Sequence, residues 1–172
     1  LTRNRIIWGE GLFIKPQHFQ QQQRHNDYLL YTSLSALTEH FYGVSELKIN
    51  EDHLSFGRVT LVSASGIMPD GTFFSLPYED VLPLPLQVSE ANLVGQVVYL
   101  AVPLASDHIL EINTSQEHNG SRTRYQACLE SVRDLYSQSA EIAAVNVAKV
   151  NLRLMLESED RSTFASIPVA RI

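Results

Sequence analysis

The hydrophobic and polar positions of the first forty residues follow a helical period after Pro16. The apolar residues that recur at steps of four, three and four are Leu30, Leu34, Leu37 and Phe41. This spacing puts them on one face of a helix. Pro16 suits the first helical turn, where its missing N–H costs nothing. Gly43 is of the residue type that commonly ends a helix. The pattern therefore predicts one long helix near residues 17–38.

Beyond Gly43 the hydrophobic period changes to two, which is typical of β-strands. Leu47 and Ile49 alternate with polar residues, and Leu54 and Phe56 do so again after an acidic pair. This alternation predicts a hairpin that turns at residues 51–52.

A second turn is predicted at residues 69–72, with the sequence PDGT. Pro sets φ, Asp bonds to the local backbone and Gly accepts a positive φ. Phe73 and Phe74 then begin the returning strand. Three prolines between residues 77 and 85 favour an extended connection over a central strand.

The run VVYLAVPL at residues 97–104 is apolar on both faces, which indicates a strand buried between two layers. Residues 115–122 are polar and predict a loop. Further strands are predicted over residues 125–135, 141–145, 150–156 and 164–172.

The order of these elements predicts the fold class. Strands and helices do not alternate, which argues against a doubly wound parallel sheet. The prediction is a mainly β fold, an antiparallel β-sandwich with one long amino-terminal helix, formed by a single domain over residues 1–172. Because the chain begins with Leu and stops within a strand-like pattern, we expect it to be part of a longer protein.

The composition of the chain argues against several classes of function. The formal net charge of −6, with scattered Lys and Arg, argues against nucleic-acid binding. The single cysteine, Cys128, excludes an internal disulfide and is compatible with a reducing cytoplasm. No apolar run is long enough for a membrane span, and no signal peptide is evident.

No catalytic or metal-binding pattern is evident either. The six histidines include no HxH or HExxH pair, and no CxxC or GxSxG motif occurs. His18 and His25 share a helix face but lie two turns apart, too far to hold one ion together. The sequence thus predicts a protein that is not an enzyme and has no metal and no cofactor.

The stretch WGEGLFIKPQHFQQQQ at residues 8–23 is the most unusual part of the chain. It contains the only tryptophan, two phenylalanines and a glutamine cluster. On one interpretation Trp8 and Phe13 fill the core and the glutamines are solvated. On the other the stretch is a docking surface, since aromatic residues anchor protein interfaces.

The same stretch resembles the opening signature of the TssK family, also called VasE or ImpJ, of the type VI secretion baseplate. The resemblance continues through LKINEDHLSFGRVTL, GIMPDGTFFSLP, VYLAVPL, VNLRLMLESED and IPVARI, and so covers the chain. One departure is Gln23-Arg24-His25, where the family commonly has an acidic residue followed by Arg-Tyr.

The resemblance implies the amino-terminal shoulder domain of a trimeric baseplate subunit, similar to the shoulder domains of siphophage receptor-binding proteins. It implies docking onto the wedge proteins TssF and TssG, with a head domain outside this chain reaching the inner-membrane proteins TssL and TssM. The expected location is the bacterial cytoplasm, at the baseplate, without membrane insertion. The residues expected to bind protein are Trp8, Phe13, Pro16, Gln17, His18, Phe19 and Gln20.

Two other functions are kept open. The predicted sandwich alone would also suit a phage-type receptor- or carbohydrate-binding module, although a sugar site usually needs exposed aromatic residues beside polar loops. An enzyme would need a polar pocket or an ordered metal, for which the sequence contains no pattern.

Overall fold

A computed structural model describes residues 2–88, 95–114, 122–136, 138 and 140–172. The helices are α1 (Pro16–Leu37) and the single turn α2 (Glu51–Leu54). The strands are β1 (Gly43–Ile49), β2 (Arg58–Val59), β3 (Leu61–Ile67), β4 (Phe73–Leu76), β5 (Leu86–Gln87), β6 (Val97–Pro103), β7 (Ile112–Asn113), β8 (Tyr125–Arg133), β9 (Ile142–Val150), β10 (Arg153–Leu156) and β11 (Phe164–Arg171). The fold is mainly β with one long amino-terminal helix, which confirms the predicted class.

One hydrophobic core lies between two three-stranded antiparallel sheets, with the strand orders β1-β3-β4 and β10-β6-β11. Leu61 and Phe74 enter the core from the first sheet, and Leu100 and Ile167 enter it from the second. The strands β2 and β5 form a small pair, while β8 and β9 form a separate long hairpin with β7 in parallel at its base. Every other strand pair in the described residues is antiparallel.

The turn between β3 and β4 is formed as the sequence predicted. Gly71 has a φ of +87°, and the Asp70 carboxylate accepts the N–H of Thr72 at 3.1 Å. The ring of Tyr31, on α1, lies against this turn, where a Cβ on Gly71 would be 2.9 Å from Cδ2 of the ring. Glycine is therefore required here both by the backbone and by the close approach of the helix.

The central strand β6 is also as predicted. Val98, Leu100 and Val102 are fully buried in the core, because β6 is flanked by β10 and β11 and faces the first sheet. Ala101, on the opposite face of the strand, is fully buried as well. The connection over residues 77–85 contains no strand, as its prolines indicated.

The hairpin predicted at residues 47–56 is wrong in its second half. Leu54 and Phe56 are exposed and lie in and just after α2, not in a strand. Asn50 caps this turn by accepting the N–H of His53 at 3.3 Å. A side-chain cap of this kind favours a helical turn over the extended backbone that alternation alone suggests.

Helix α1 begins at Pro16, as predicted, but contributes no buried residue. It ends at Leu37, because Thr38 is extended with a φ of −154°, so Gly43 opens β1 and does not stop the helix. Among the apolar residues predicted to share one helix face, Leu30 and Leu37 remain exposed. Phe41 packs edge-on against Tyr31, with ring centroids 5.4 Å apart. The helix thus lies on the sandwich without entering its core.

The strands predicted at residues 125–135 and 141–145 form β8 and β9, nine residues each. Only the ends next to the sandwich are covered, and side chains become exposed from Leu129 onward in β8. We call the described residues between 127 and 148 the arm. The predicted loop at residues 115–122 lies outside the described residues except for Arg122.

Candidate protein-docking surface

The amino-terminal segment, residues 2–15, runs beside α1 and is held there by side chains of the helix. The Gln21 amide donates to the carbonyl oxygens of Thr2 at 3.2 Å and Asn4 at 2.6 Å. His25 Nδ1 donates to the carbonyl of Arg3 at 2.8 Å. Because these bonds go to backbone atoms, they fix the path of a segment that has no helix or strand of its own.

A cation–π contact supports the same arrangement. The Arg3 guanidinium carbon lies 5.1 Å from the ring centroid of Tyr28, further along α1. Contacts of this kind contribute about 0.5–1 kcal/mol at exposed sites. The segment is therefore attached at its beginning by polar contacts.

Near its end the segment is attached through Trp8. The Trp8 ring centroid is 6.1 Å from that of His18 and 6.4 Å from that of Phe19, both in tilted geometry. The indole N–H donates to Gln22 at 3.4 Å. One face of the indole thus rests on the first turns of α1, and half of the side chain remains exposed.

The start of α1 is fixed by its neighbours in the sequence. Lys15 is the N-cap with extended backbone, and Pro16 takes the first helical position. The N–H of Lys15 donates to His18 Nδ1 at 3.0 Å. His18 thereby accepts the backbone N–H of the N-cap residue, as Glu or Gln does at the third helical position of a capping box. The same imidazole caps the helix and supports Trp8.

The aromatic residues of this region are not in the core, so the core interpretation of Trp8 and Phe13 is wrong. The exposed fractions are 50% for Trp8, 81% for Phe13 and 62% for Phe19. Ile7 and Ile14 are exposed beside them. We call these five side chains the amino-terminal surface. Several exposed apolar side chains within a short stretch of chain are typical of interaction sites.

The other predicted protein-binding residues lie in the first turns of α1. Pro16, Gln17 and Gln20 are exposed, and His18 is half-buried beneath Trp8. All seven predicted residues therefore lie in the first turns of α1 or in the segment that precedes it. Contact of each with a partner stays a prediction.

Sequence reasoning missed the residues that position this surface. Gln21, Gln22 and His25 hold the segment, yet the glutamine run suggested only a solvated face or a docking face. Their spacing of one, three and four residues was the available signal, because it places them on neighbouring helical positions. The exposed apolar residues of the arm were missed as well.

Within the described residues, no three His, Cys, Asp or Glu side chains are grouped so that they could hold a metal ion. None of the helices in the described part of the chain is long and apolar enough to cross a bilayer.

Comparison with known proteins identifies the family. Residues 18–172 match the model of the family described as Bacterial Type VI secretion, VC_A0110, EvfL, ImpJ, VasE. The chain belongs to this family, as its resemblance to TssK predicted.

Individual relatives agree with that assignment. The chain is 36% identical over 169 residues to the type VI secretion system baseplate component TssK1 of Pseudomonas aeruginosa. This match covers 98% of the chain and 38% of the relative. The chain thus spans well under half the length of that protein.

Two solved structures are similar in fold. A crystal structure of TssK superposes with a TM-score of 0.89 at 31% identity, over 99% of this chain and 38% of that one. A chain in a cryo-electron microscopy structure of the type VI secretion system TssK-TssF-TssG baseplate subcomplex has a TM-score of 0.85 at 24% identity, over 99% of this chain and 56% of that one. The second likeness shows the fold alone.

Proposed function

We propose that this chain is the docking domain of a type VI secretion baseplate component and binds the wedge proteins TssF and TssG through the amino-terminal surface. The observation that carries the proposal is the pair of exposed aromatic rings, Trp8 and Phe19, that contact each other at the start of α1. The name of the Pseudomonas aeruginosa relative supports the baseplate role. The TssK-TssF-TssG subcomplex, which includes a chain of the same fold, supports the choice of partner.

The amino-terminal surface contains the type of side chain that an interface centre needs. A fully buried Trp or Phe side chain removes roughly 150–250 Å² from water. Because Trp8, Phe13 and Phe19 are between half and four-fifths exposed, a partner that covers them would bury a substantial part of one side of a standard interface of about 800 Å². Since the Trp8 ring already contacts His18 and Phe19 on α1, little entropy is lost at Trp8 and Phe19 when a partner covers them. Ordered aromatic residues of this kind are the usual energetic centres of interfaces.

The proposal extends to the protein of which this chain is a part. Residues 1–172 form its single amino-terminal shoulder domain, and a head domain outside the chain contacts the inner-membrane proteins TssL and TssM. The complete protein is a homotrimer on the cytoplasmic side of the membrane and links the tail baseplate to the membrane complex. It acts by binding and not by catalysis.

Co-purification with the TssF–TssG wedge tests the docking role. Trp8→Ala and Phe19→Ala should each reduce the wedge recovered with the chain at least tenfold, which corresponds to the roughly 1.4 kcal/mol or more expected of an interface anchor. The temperature of unfolding should change little, because both side chains are largely exposed.

Phe56→Ala is the matched control, since Phe56 is 74% exposed but lies outside the amino-terminal surface. It should leave recovery of the wedge unchanged. If Trp8→Ala and Phe56→Ala bound the wedge equally well, docking through this surface would be wrong. If the unaltered chain failed to bind the wedge, the proposed function itself would be wrong.

A further inference from the structure

The outer edge of β9 has no partner strand in the described part of the chain, where β9 pairs with β8 alone. The N–H of Asp134 donates to the carbonyl of Glu141 at 2.8 Å. Because hydrogen-bonded pairs alternate along an antiparallel ladder, the odd-numbered residues of β9 direct their backbone N–H and C=O groups toward β8. Ile142, Ala144, Asn146 and Ala148 therefore direct their N–H and C=O groups away from β8. Such an edge is a template for another strand.

Both ends of this edge are limited by the fold. The next outward N–H, that of Val150, already donates to the buried carboxylate of Asp80 at 2.8 Å. At the other end Ala140 has a φ of +50°, which interrupts the extended backbone. The edge available for pairing thus begins at Ile142 and ends at Ala148.

The arm also leaves apolar side chains uncovered. Ile142 is 71% exposed and Val145 is 42% exposed, and Leu129 and Val132 on β8 are exposed as well. A two-stranded ribbon is at best marginally stable in water, whereas a sheet of three or more strands with an apolar face is stable. Additional strands beside β9 would meet this requirement.

We propose that β9 pairs antiparallel with β9 of a second copy of this chain, about a twofold axis at Val145. In this register Ile142 lies opposite Ala148 of the second copy, and Ala144 lies opposite Asn146 of the second copy. These pairs use all four outward-facing residues of each edge. A shift of two residues in one direction would require the N–H of Val150, which already donates to Asp80. A shift of two residues in the other direction would require extended backbone at Ala140, where φ is +50°.

Charge complementarity supports the same register. Between residues 141 and 149 the only charged side chains are Glu141 and Lys149, and the register places each opposite the other in the second copy. Lys149 is already paired with Glu130 at 2.8 Å within its own chain, so the contact with Glu141 would add a second carboxylate to one ammonium. The directly opposite residues of this pair carry unlike charges, which is favourable for cross-strand pairs.

The product is a four-stranded antiparallel sheet, with the order β8-β9-β9-β8. Ala143, Val145 and Val147 of both copies share one face of it, because residues of the same parity project to the same side. The contact is twofold, so it joins two copies whether or not each also belongs to a trimer. It lies on the arm and is distinct from the amino-terminal surface proposed to bind the wedge.

Disulfide crosslinking tests the register. In a Cys128→Ser background, Val145→Cys places a thiol opposite itself in a non-hydrogen-bonded pair, where Cα atoms are about 4.5 Å apart and a disulfide can form. Mild oxidation should convert this variant to a covalent dimer. Ile142→Cys is the matched control on the same strand. Its two copies would be far apart in this register, although Ile142 is more exposed than Val145.

Ala144→Pro tests the edge itself, because it removes an N–H that points away from β8 and leaves the ladder with β8 intact. Light scattering should show the mass fall from that of a dimer to that of one chain, and Ala144→Val should keep the dimer. Equal crosslinking at positions 142 and 145 would overturn the proposal, as would a monomer at every concentration of the unaltered chain. If Ala144→Pro unfolds, the comparison of the two cysteine variants decides.

Discussion

Arg124, just before β8, forms an ion pair with Asp70 in the turn between β3 and β4, with Nη2 and Oδ2 2.7 Å apart. The guanidinium also donates to the carbonyl of Pro103 at 2.7 Å, at the end of β6, and to the Thr72 hydroxyl. One side chain therefore joins both sheets and the base of the arm. It also fixes the turn on which Tyr31 of α1 rests.

Arg124→Ala should lower the free energy of unfolding by about 3 kcal/mol, because it leaves the Asp70 carboxylate without its partner in a largely buried place. Burial lowers the pKa of the Arg124 guanidinium, but Asp70 and Tyr125 outweigh it, so the pKa stays above its ordinary value and the charge is kept. Urea unfolding measures the loss.

Arg124→Lys should be intermediate, because one ammonium cannot reproduce the planar set of donors that reaches both Asp70 and Pro103. Arg133→Ala, at the exposed end of β8, is the control and should change the midpoint little. Equal midpoints for Arg124→Ala and Arg133→Ala would contradict the structural role given to Arg124.

Asp80→Ala should destabilise the chain by roughly 3 kcal/mol, because it leaves the N–H groups of Ser75 and Val150 without an acceptor. These bonds attach the extended connection after β4 to the end of β9. Glu79→Ala, at the exposed neighbouring position, should have little effect. Thermal unfolding of the two variants side by side checks the difference.

Phe74→Ala and Phe73→Ala should differ sharply although the residues are adjacent in β4. Phe74 is fully buried and its loss should cost about 3–5 kcal/mol, whereas Phe73 is 63% exposed and its loss should cost little. The free energies of unfolding of both variants test this. Similar values would mean that β4 does not present alternate residues to the core.

His18→Ala should loosen the amino-terminal segment, because it removes both the cap on Lys15 and the ring beneath Trp8. The cost to stability should be about 1 kcal/mol, the usual value for a helix cap. Trp8 is the only tryptophan, so its fluorescence reports on the segment directly. Emission should shift to longer wavelength as the indole becomes more exposed.

His18→Gln provides the comparison, since glutamine can still accept the N–H of Lys15. It should keep the helix start while giving up the ring contact with Trp8. Phe56→Ala should leave the emission unchanged. An unchanged spectrum in His18→Ala would show that His18 does not position Trp8.

The parts of the fold that the sequence predicted well depend on local chemistry. The turn at residues 69–72 follows from the conformational preferences of Pro, Asp and Gly, and β6 follows from an apolar run that only a buried strand tolerates. The prediction of a strand at Leu54 and Phe56 was wrong because the alternation of apolar residues took no account of the helix cap that Asn50 supplies. The hydrogen bond from His53 to the Asn50 side chain stabilises a helical turn in place of the strand.

The sequence predicted which residues form the candidate site, but not the contacts that hold them in place. Trp8, Phe13 and Phe19 were identified from their type and position, while their exposure was left open. The bonds that hold them join residues about twenty positions apart, such as Gln21 with Thr2 and His25 with Arg3. A single pattern of spacing does not reveal such contacts. The exposure of the arm also depends on where β8 and β9 leave the sandwich, which only the assembled sheets determine.

The position of β6 has a consequence for how the chain is made. Its two neighbours, β10 and β11, both follow it in the sequence, and the N–H of Ile172 donates to the carbonyl of Gln96 at 2.9 Å. During synthesis β6 therefore leaves the ribosome with neither neighbour present, and both of its edges stay unpaired until more than fifty further residues have been added. The second sheet is completed last, so folding of this domain is governed by long-range pairing and is expected to be slow compared with helical domains of the same size.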